Sequence, residues 1–158
     1  EVTDAALTIS LHAPNDQLRN DLVPINKKYP IKKLLESVIR YVEKCGDSRK
    51  TTIEYILIDK VNDSIENAYE LCKLLKILPC KINLIPFNPF PGSSYKRPSS
   101  MRIQTFKKIL QKEGYITTIR TTRGEDIMAA CGQLVGQVND KTRKKERLQK
   151  RIEVQTIS

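Results

Sequence analysis

Cys131 is the side chain whose surroundings point most directly to chemistry. It lies in the run Thr122-Arg123-Gly124-Glu125-Asp126-Ile127-Met128-Ala129-Ala130-Cys131-Gly132-Gln133-Leu134. Its neighbours Ala129, Ala130 and Gly132 are small, so a bulky partner can approach the sulfur, and Arg123 adds positive charge upstream. Low cover and nearby positive charge favour a reactive thiolate. The competing reading is a small apolar residue packed at the start of a helix, where free cysteines are often found.

Two further groups of residues carry polar chemistry. Ser10-Leu11-His12 closes a strand-like run, and residues two apart on a strand project from the same side, here a hydroxyl and an imidazole. His12 is the sole histidine, which argues against a metal site; the alternative is a satisfied loop histidine with Ser10 capping the turn. Pro86-Phe87-Asn88-Pro89-Phe90-Pro91-Gly92 is stiffened by its prolines. Asn88 is the one polar group there that looks placed, and Phe87 and Phe90 read as packing residues. Asn62-Asp63-Ser64 reads as a turn leading into a helix cap. Lys27-Lys28 and Lys96-Arg97 flank these loops as phosphate contacts or as solvated surface.

Positioning these groups requires a framework, and the pattern predicts an α/β fold. Strand-like runs cover residues 5–11, 51–58, 81–85 and 115–120. Between them lie helical stripes. Ile31, Leu34, Leu35, Val38, Ile39 and Val42 form one apolar face, with Pro30 at its start and Gly46 at its end. Ser64 caps a helix whose inner face is Ala68, Leu71, Cys72 and Leu75. Ser99 or Ser100 caps another with Ile103, Phe106, Ile109 and Leu110 inward, and Gly114 closes it. Strands alternating with helices imply a parallel sheet, and four strands suit a partial rather than a closed barrel. Ligands of such sheets bind at the C-terminal strand ends, which selects residues 10–16, 86–98 and 121–132 as one shared mouth. The uncovered first strand suggests the C-terminal portion of a longer protein.

Composition narrows the class further. The chain has 158 residues, 39% hydrophobic and 29% charged, with four cysteines. None of the cysteines has CxxC spacing, so neither a disulfide framework nor a metal site is indicated, and the reading is cytoplasmic with reduced thiols. No apolar run approaches the ~18 residues of a membrane span. Net charge is +10, of which residues 139–158 contribute +4 from seven bases and three acids. A core over residues 1–138 and a basic tail over 139–158 is the expected organisation. Excess positive charge in both parts favours a polyanionic partner, nucleic acid first, while aromatic residues at 6% that do not interleave with the bases argue against a stacking platform for single strands.

Ser10-Leu11-His12-Ala13-Pro14-Asn15-Asp16, Leu22-Val23-Pro24-Ile25-Asn26-Lys27-Lys28-Tyr29, Asn83-Leu84-Ile85-Pro86-Phe87-Asn88-Pro89-Phe90-Pro91-Gly92 and Ala129-Ala130-Cys131-Gly132-Gln133-Leu134 together resemble one family. It is the RlmN-type radical S-adenosylmethionine (SAM) methyltransferases, and the resemblance covers residues 1 to about 143. It implies the C-terminal part of a partial (βα)6 barrel, with SAM held at the mouth on a [4Fe-4S] cluster. It implies methylation of carbon 2 of adenine in 23S rRNA and tRNA by a monomer supplied by an electron donor. Ser10, Leu11, His12 and Asn88 match the family's SAM-contacting residues. Cys131 matches the cysteine that transiently carries the methyl group.

Two departures accompany the resemblance. The family's CxxxCxxC cluster motif has no counterpart here, so the cluster ligands are expected outside this sequence, with the second cysteine and the general-base glutamate. Taken alone, the 158 residues are therefore expected to be inactive. Glu125 and Met128 also replace the more usual aspartates. Alternatives are the sister enzyme acting on carbon 8 of the same adenine, and a basic RNA-binding module without activity.

Overall fold

The computed structural model describes residues 6–46 and 51–121, which fall in a compact unit ending at Thr121. Residues 122–158 lie outside the described part, and with them Cys131 and the expected boundary at residue 138.

The chain runs β1 (Leu7–Ser10), α1 (Asp16–Leu22), a 3₁₀ turn (Pro24–Lys27), α2 (Ile31–Cys45), β2 (Thr51–Leu57), α3 (Ile65–Leu75), β3 (Lys81–Pro86), α4 (Ser100–Lys112) and β4 (Thr117–Ile119). The four strands form one sheet in the order β1-β2-β3-β4, every pair parallel. Sequential parallel order requires each connection to cross over one face. Leu35 and Val38 of α2, Leu71 and Leu75 of α3, and Phe106 and Leu110 of α4 share one core cluster with Ile53, Tyr55, Ile82 and Leu84 of the sheet. The helices therefore cover one face, and the α/β partial-barrel expectation holds.

Local chemistry sets the element boundaries. α2 buries Ile31, Leu35 and Val38, and each fully buried aliphatic side chain contributes about 1.5–3 kcal/mol. It stops at Gly46, whose φ of 67° places it in the left-handed region while its N–H donates to the Val42 carbonyl. Ser64 caps α3 through Oγ, which accepts from Asn67 N at 3.0 Å. Ser99 performs the same role for α4, accepting from Arg102 N at 3.3 Å.

Three elements depart from the sequence reading. α1 is an additional helix, opened by Asn15, whose Oδ1 accepts from Leu18 N at 2.9 Å. β1 ends at Ser10 rather than Leu11, because His12 adopts φ 62° and leaves the strand. β4 is only Thr117–Ile119: Tyr115 instead closes α4, its N–H donating to Leu110 O and its hydroxyl to Cys72 O at 2.9 Å.

The other face of the sheet carries a polar row, with buried Ile56 and Ile85 beyond it toward the C-terminal strand ends. Ser10, Glu54, Asn83 and Thr118 stand at one register level, one from each strand. Thr118 Oγ1 donates to Asn83 Oδ1 at 3.1 Å across that row.

Candidate functional site

Where β1 separates from β2, the backbone of β2 loses its partners, and side chains replace them. Leu11 N still donates to Glu54 O at 3.0 Å. At the next level Ile56 N donates to Nδ1 of His12 at 3.1 Å. The imidazole thus continues the ladder that the strand has left. Because Nδ1 accepts, the ring proton is on Nε2. Burial, reinforced by the Arg19 charge, lowers the His12 pKa from 6.5 to about 4. His12 is therefore a neutral donor through Nε2–H and a poor general acid at neutral pH.

Asn62 completes the same junction. Its Oδ1 accepts from Ile58 N at 2.8 Å, and its Nδ2 donates to the carbonyls of Ile56 and His12 at 2.6 and 2.9 Å. The Tyr55 hydroxyl donates to the Asn62 carbonyl at 2.7 Å. Asn62 is fully buried, so it is a structural clamp, where sequence reading gives only a turn residue.

Arg19 holds the segment from the other side. It is 5% exposed, and its guanidinium donates to Leu11 O at 3.0 Å, Ser10 O at 3.2 Å and Asn26 Oδ1 at 2.7 Å. Asn26 Nδ2 in turn donates to Asp16 Oδ1 at 2.9 Å and Asn20 Oδ1 at 2.8 Å. Burial weakens the basicity of Arg19, and the Asp16 carboxylate partly restores it. Arg19, Asn26 and Asn62 escape sequence reading, because nothing local marks a polar residue that tertiary packing will bury. Only Asn62 carries a local signal, its place in the loop that follows β2, where orphaned backbone groups need partners.

The expected same-side projection of Ser10 and His12 is corrected by this geometry. Ser10 remains on the polar sheet face, whereas the His12 side chain is turned into the β1–β2 junction by its positive φ. Leu11 is fully buried and packs in the core, and its N–H and carbonyl are taken by Glu54 O and Arg19 Nε. Asn88 is half-buried, two residues beyond β3 on the same rim. β2 lies between it and β1, so about 10 Å of sheet separate the two strand ends. Phe87 packs as expected, 6.0 Å from the Phe90 ring and 5.9 Å from Tyr95. On the neighbouring loop, Arg102 clamps Asp63 through Nε at 2.6 Å and Nη2 at 2.7 Å, tying α4 to the loop after β2.

These residues suit a polar organic ligand and do not suit a metal cluster. Ser10, His12 Nε2–H and the Asn88 amide offer donors and acceptors of the kind a nucleoside and an amino-acid moiety require. Among the described residues no three His, Cys, Asp or Glu side chains gather. Cys72 and Cys80 are pushed up by burial to about 11 and about 12, which disfavours the thiolate an iron–sulfur cluster needs.

A singly wound parallel sheet with helices on one face and a polar mouth at its C-terminal strand ends defines a partial-barrel α/β protein. Comparison with known proteins narrows this class. No protein-family model matches the chain. It is 63% identical over 93% of its length to the dual-specificity RNA methyltransferase RlmN of Marinobacter nauticus, of which it covers 40%. It is 61% identical over 98% of its length to RlmN of a Marinomonas species, of which it covers 41%. A radical SAM methyltransferase from Sphaerobacter thermophilus superposes with a TM-score of 0.77 at 52% identity, over 84% of this chain and 38% of that one. A domain of a pyruvate-formate lyase-activating enzyme from Bacteroides vulgatus shares the fold, with a TM-score of 0.59 at 22% identity over 76% of this chain and 70% of that one.

Across nearly its whole length the chain is similar to RlmN-type radical SAM methyltransferases, and it spans about 40% of the length of the curated relatives it matches.

Proposed function

We propose that this chain is the part of a radical SAM RNA methyltransferase that holds SAM at a barrel rim, and that the enzyme methylates carbon 2 of adenine in 23S rRNA and tRNA. The observation that carries the reading is identity of 61% or more to RlmN enzymes across nearly the whole chain. The geometry at Ser10–His12 supports it independently. SAM, when bound, supplies the methyl group. The described thiols offer no site for the [4Fe-4S] cluster, which is held by residues other than these.

Each residue then has a defined task. Ser10 presents its hydroxyl on the polar face, and His12 presents a neutral Nε2–H, which would add no positive charge to a site that takes a cationic sulfonium. Arg19 and Asn62 fix the carbonyls of Ser10, Leu11 and His12, so the ligand meets a segment that needs no ordering on binding. Asn88 reads an amide-like or purine edge. Cys131, outside the described residues, is the methyl carrier. Its nucleophilicity as a thiolate exceeds that of any hydroxyl. The enzyme works in the cytoplasm as a monomer supplied by an electron donor.

The test replaces Cys131 in the catalytically competent protein and analyses nucleosides from total 23S rRNA and tRNA. Cys131→Ala and Cys131→Ser should both abolish methylation at carbon 2 while leaving fold and SAM binding intact. Methylation retained by either variant overturns the assignment.

A further inference from the structure

The ten residues Pro24–Lys33 contain four lysines and no acid. Lys27, Lys28, Lys32 and Lys33 are all exposed, and the segment also exposes Ile25 to 59% and Tyr29 to 49%. Lys28 Nζ lies 5.3 Å from the centroid of the Tyr29 ring.

Folding does not ask for this surface. Lys32 and Lys33 occupy the first turn of α2, where the helix dipole disfavours positive charge and where no acidic residue stands. The free N–H of Ile31 is already taken by Asp16 Oδ1 at 2.9 Å. Ile25 and Tyr29 leave large apolar surfaces in water that a purely structural turn would bury or replace. Meanwhile Asn26, between them in sequence, is 1% exposed and bonded to Arg19, which holds the carbonyls of Ser10 and Leu11. The exposed side chains are thus pinned to the segment that forms the mouth.

We propose that Ile25, Lys27, Lys28 and Tyr29, with Lys32 and Lys33, form a contact surface for an unpaired RNA strand beside the mouth. The inference rests on the RNA substrate proposed above and assigns a place to it. A base stacks on the half-exposed Tyr29 ring in place of the Lys28 ammonium that lies over it, and the ammonium groups meet the phosphates on either side. Stacking needs a base free of its helix, so single-stranded RNA is favoured over a duplex. That preference matches an enzyme whose target atom lies inside a stacked base and has to be brought out. An acidic peptide would use the lysines but has no use for a flat open ring.

The experiment measures fluorescence anisotropy of the 158-residue chain with a short unstructured RNA, with the same sequence as a blunt duplex, and with anionic phosphatidylserine vesicles as competitor. Tyr29→Ala should weaken single-strand binding about tenfold or more, and Tyr29→Phe should restore it, since the ring and not the hydroxyl stacks. The Lys27→Gln, Lys28→Gln double variant should reduce the log–log salt slope by about 1.4, since each single-strand contact contributes about 0.7. Both variants alter exposed side chains, so their urea midpoints should match the wild type. Binding by Tyr29→Ala equal to the wild type, with RNA binding otherwise intact, overturns the surface and leaves the proposed function standing. Equal affinity for duplex and single strand, or displacement of RNA by vesicles, also overturns it. No RNA binding by the wild-type chain overturns the surface and counts against RNA as the substrate of this part.

Discussion

Protonating His12 should cost this fold about as much as a core truncation. The neutral imidazole accepts from Ile56 N, and burial with the Arg19 charge brings its pKa from 6.5 to about 4. The unfolded chain therefore binds a proton that the folded chain refuses between pH 6.5 and 4. Stability from this residue is complete above about pH 6.5 and is lost as the pH falls toward 4. At 1.36 kcal/mol per unit the difference is about 3 kcal/mol. Since His12 is the one histidine in the chain, its ring resonances can be followed by NMR without assignment ambiguity. The companion assay is urea unfolding at pH 7 and pH 4 for the wild type and for His12→Asn. Asparagine tolerates the positive φ and cannot ionise. Subtracting the variant removes every other titrating group, and the remaining pH effect should be about 3 kcal/mol. A ring titrating near 6.5, or a variant that loses as much stability on acidification as the wild type, refutes the argument.

Other sites give independent tests. Asn62→Ala leaves a buried N–H and two carbonyls without their side-chain partner and should destabilise by about 3 kcal/mol or more in urea unfolding; an unchanged midpoint contradicts the clamp. Arg19→Lys keeps the charge but cannot span three acceptors, so a loss of about 1–3 kcal/mol is expected, with the His12 ring signals shifted as its neighbouring carbonyls relax. Cys72 and Cys80, held protonated by burial, should resist iodoacetamide at pH 8 until urea unfolds the chain, as peptide mass spectrometry would show. Alkylation of either in the native protein at the rate of the unfolded chain speaks against that burial.

The parts of this fold that were legible in sequence are those where local pattern and tertiary role coincide. The stripe Ile31 to Val42 is one face of a helix in either view, and Ser64, Ser99 and Gly46 cap helices through chemistry confined to a few residues. α1 is not legible in the sequence, because a seven-residue helix with only Arg19 and Leu22 buried has no readable periodicity. The strand rule failed at His12 for a different reason. Alternation holds only while the backbone stays extended, and a φ of 62° turns the ring toward Ile56. Arg19, Asn26 and Asn62 show the general limit. Arg19 and Asn62 are buried against backbone groups left unpaired where two strands part, and Asn26 is buried through its bond to Arg19, so each is a property of the assembled fold. Ser10 and Asn88 lie at the C-terminal ends of β1 and β3, a placement that follows from strand order and direction alone.

The most direct measurement is mass spectrometry of the tryptic peptide spanning Gly124 to Lys141, taken from the catalytically competent protein purified with its cluster. If this chain belongs to an enzyme that carries the methyl group on its own thiol, Cys131 bears one added methyl, and the mark disappears when SAM is withheld. A peptide that is never methylated, while the same preparation still methylates adenine, contradicts the account.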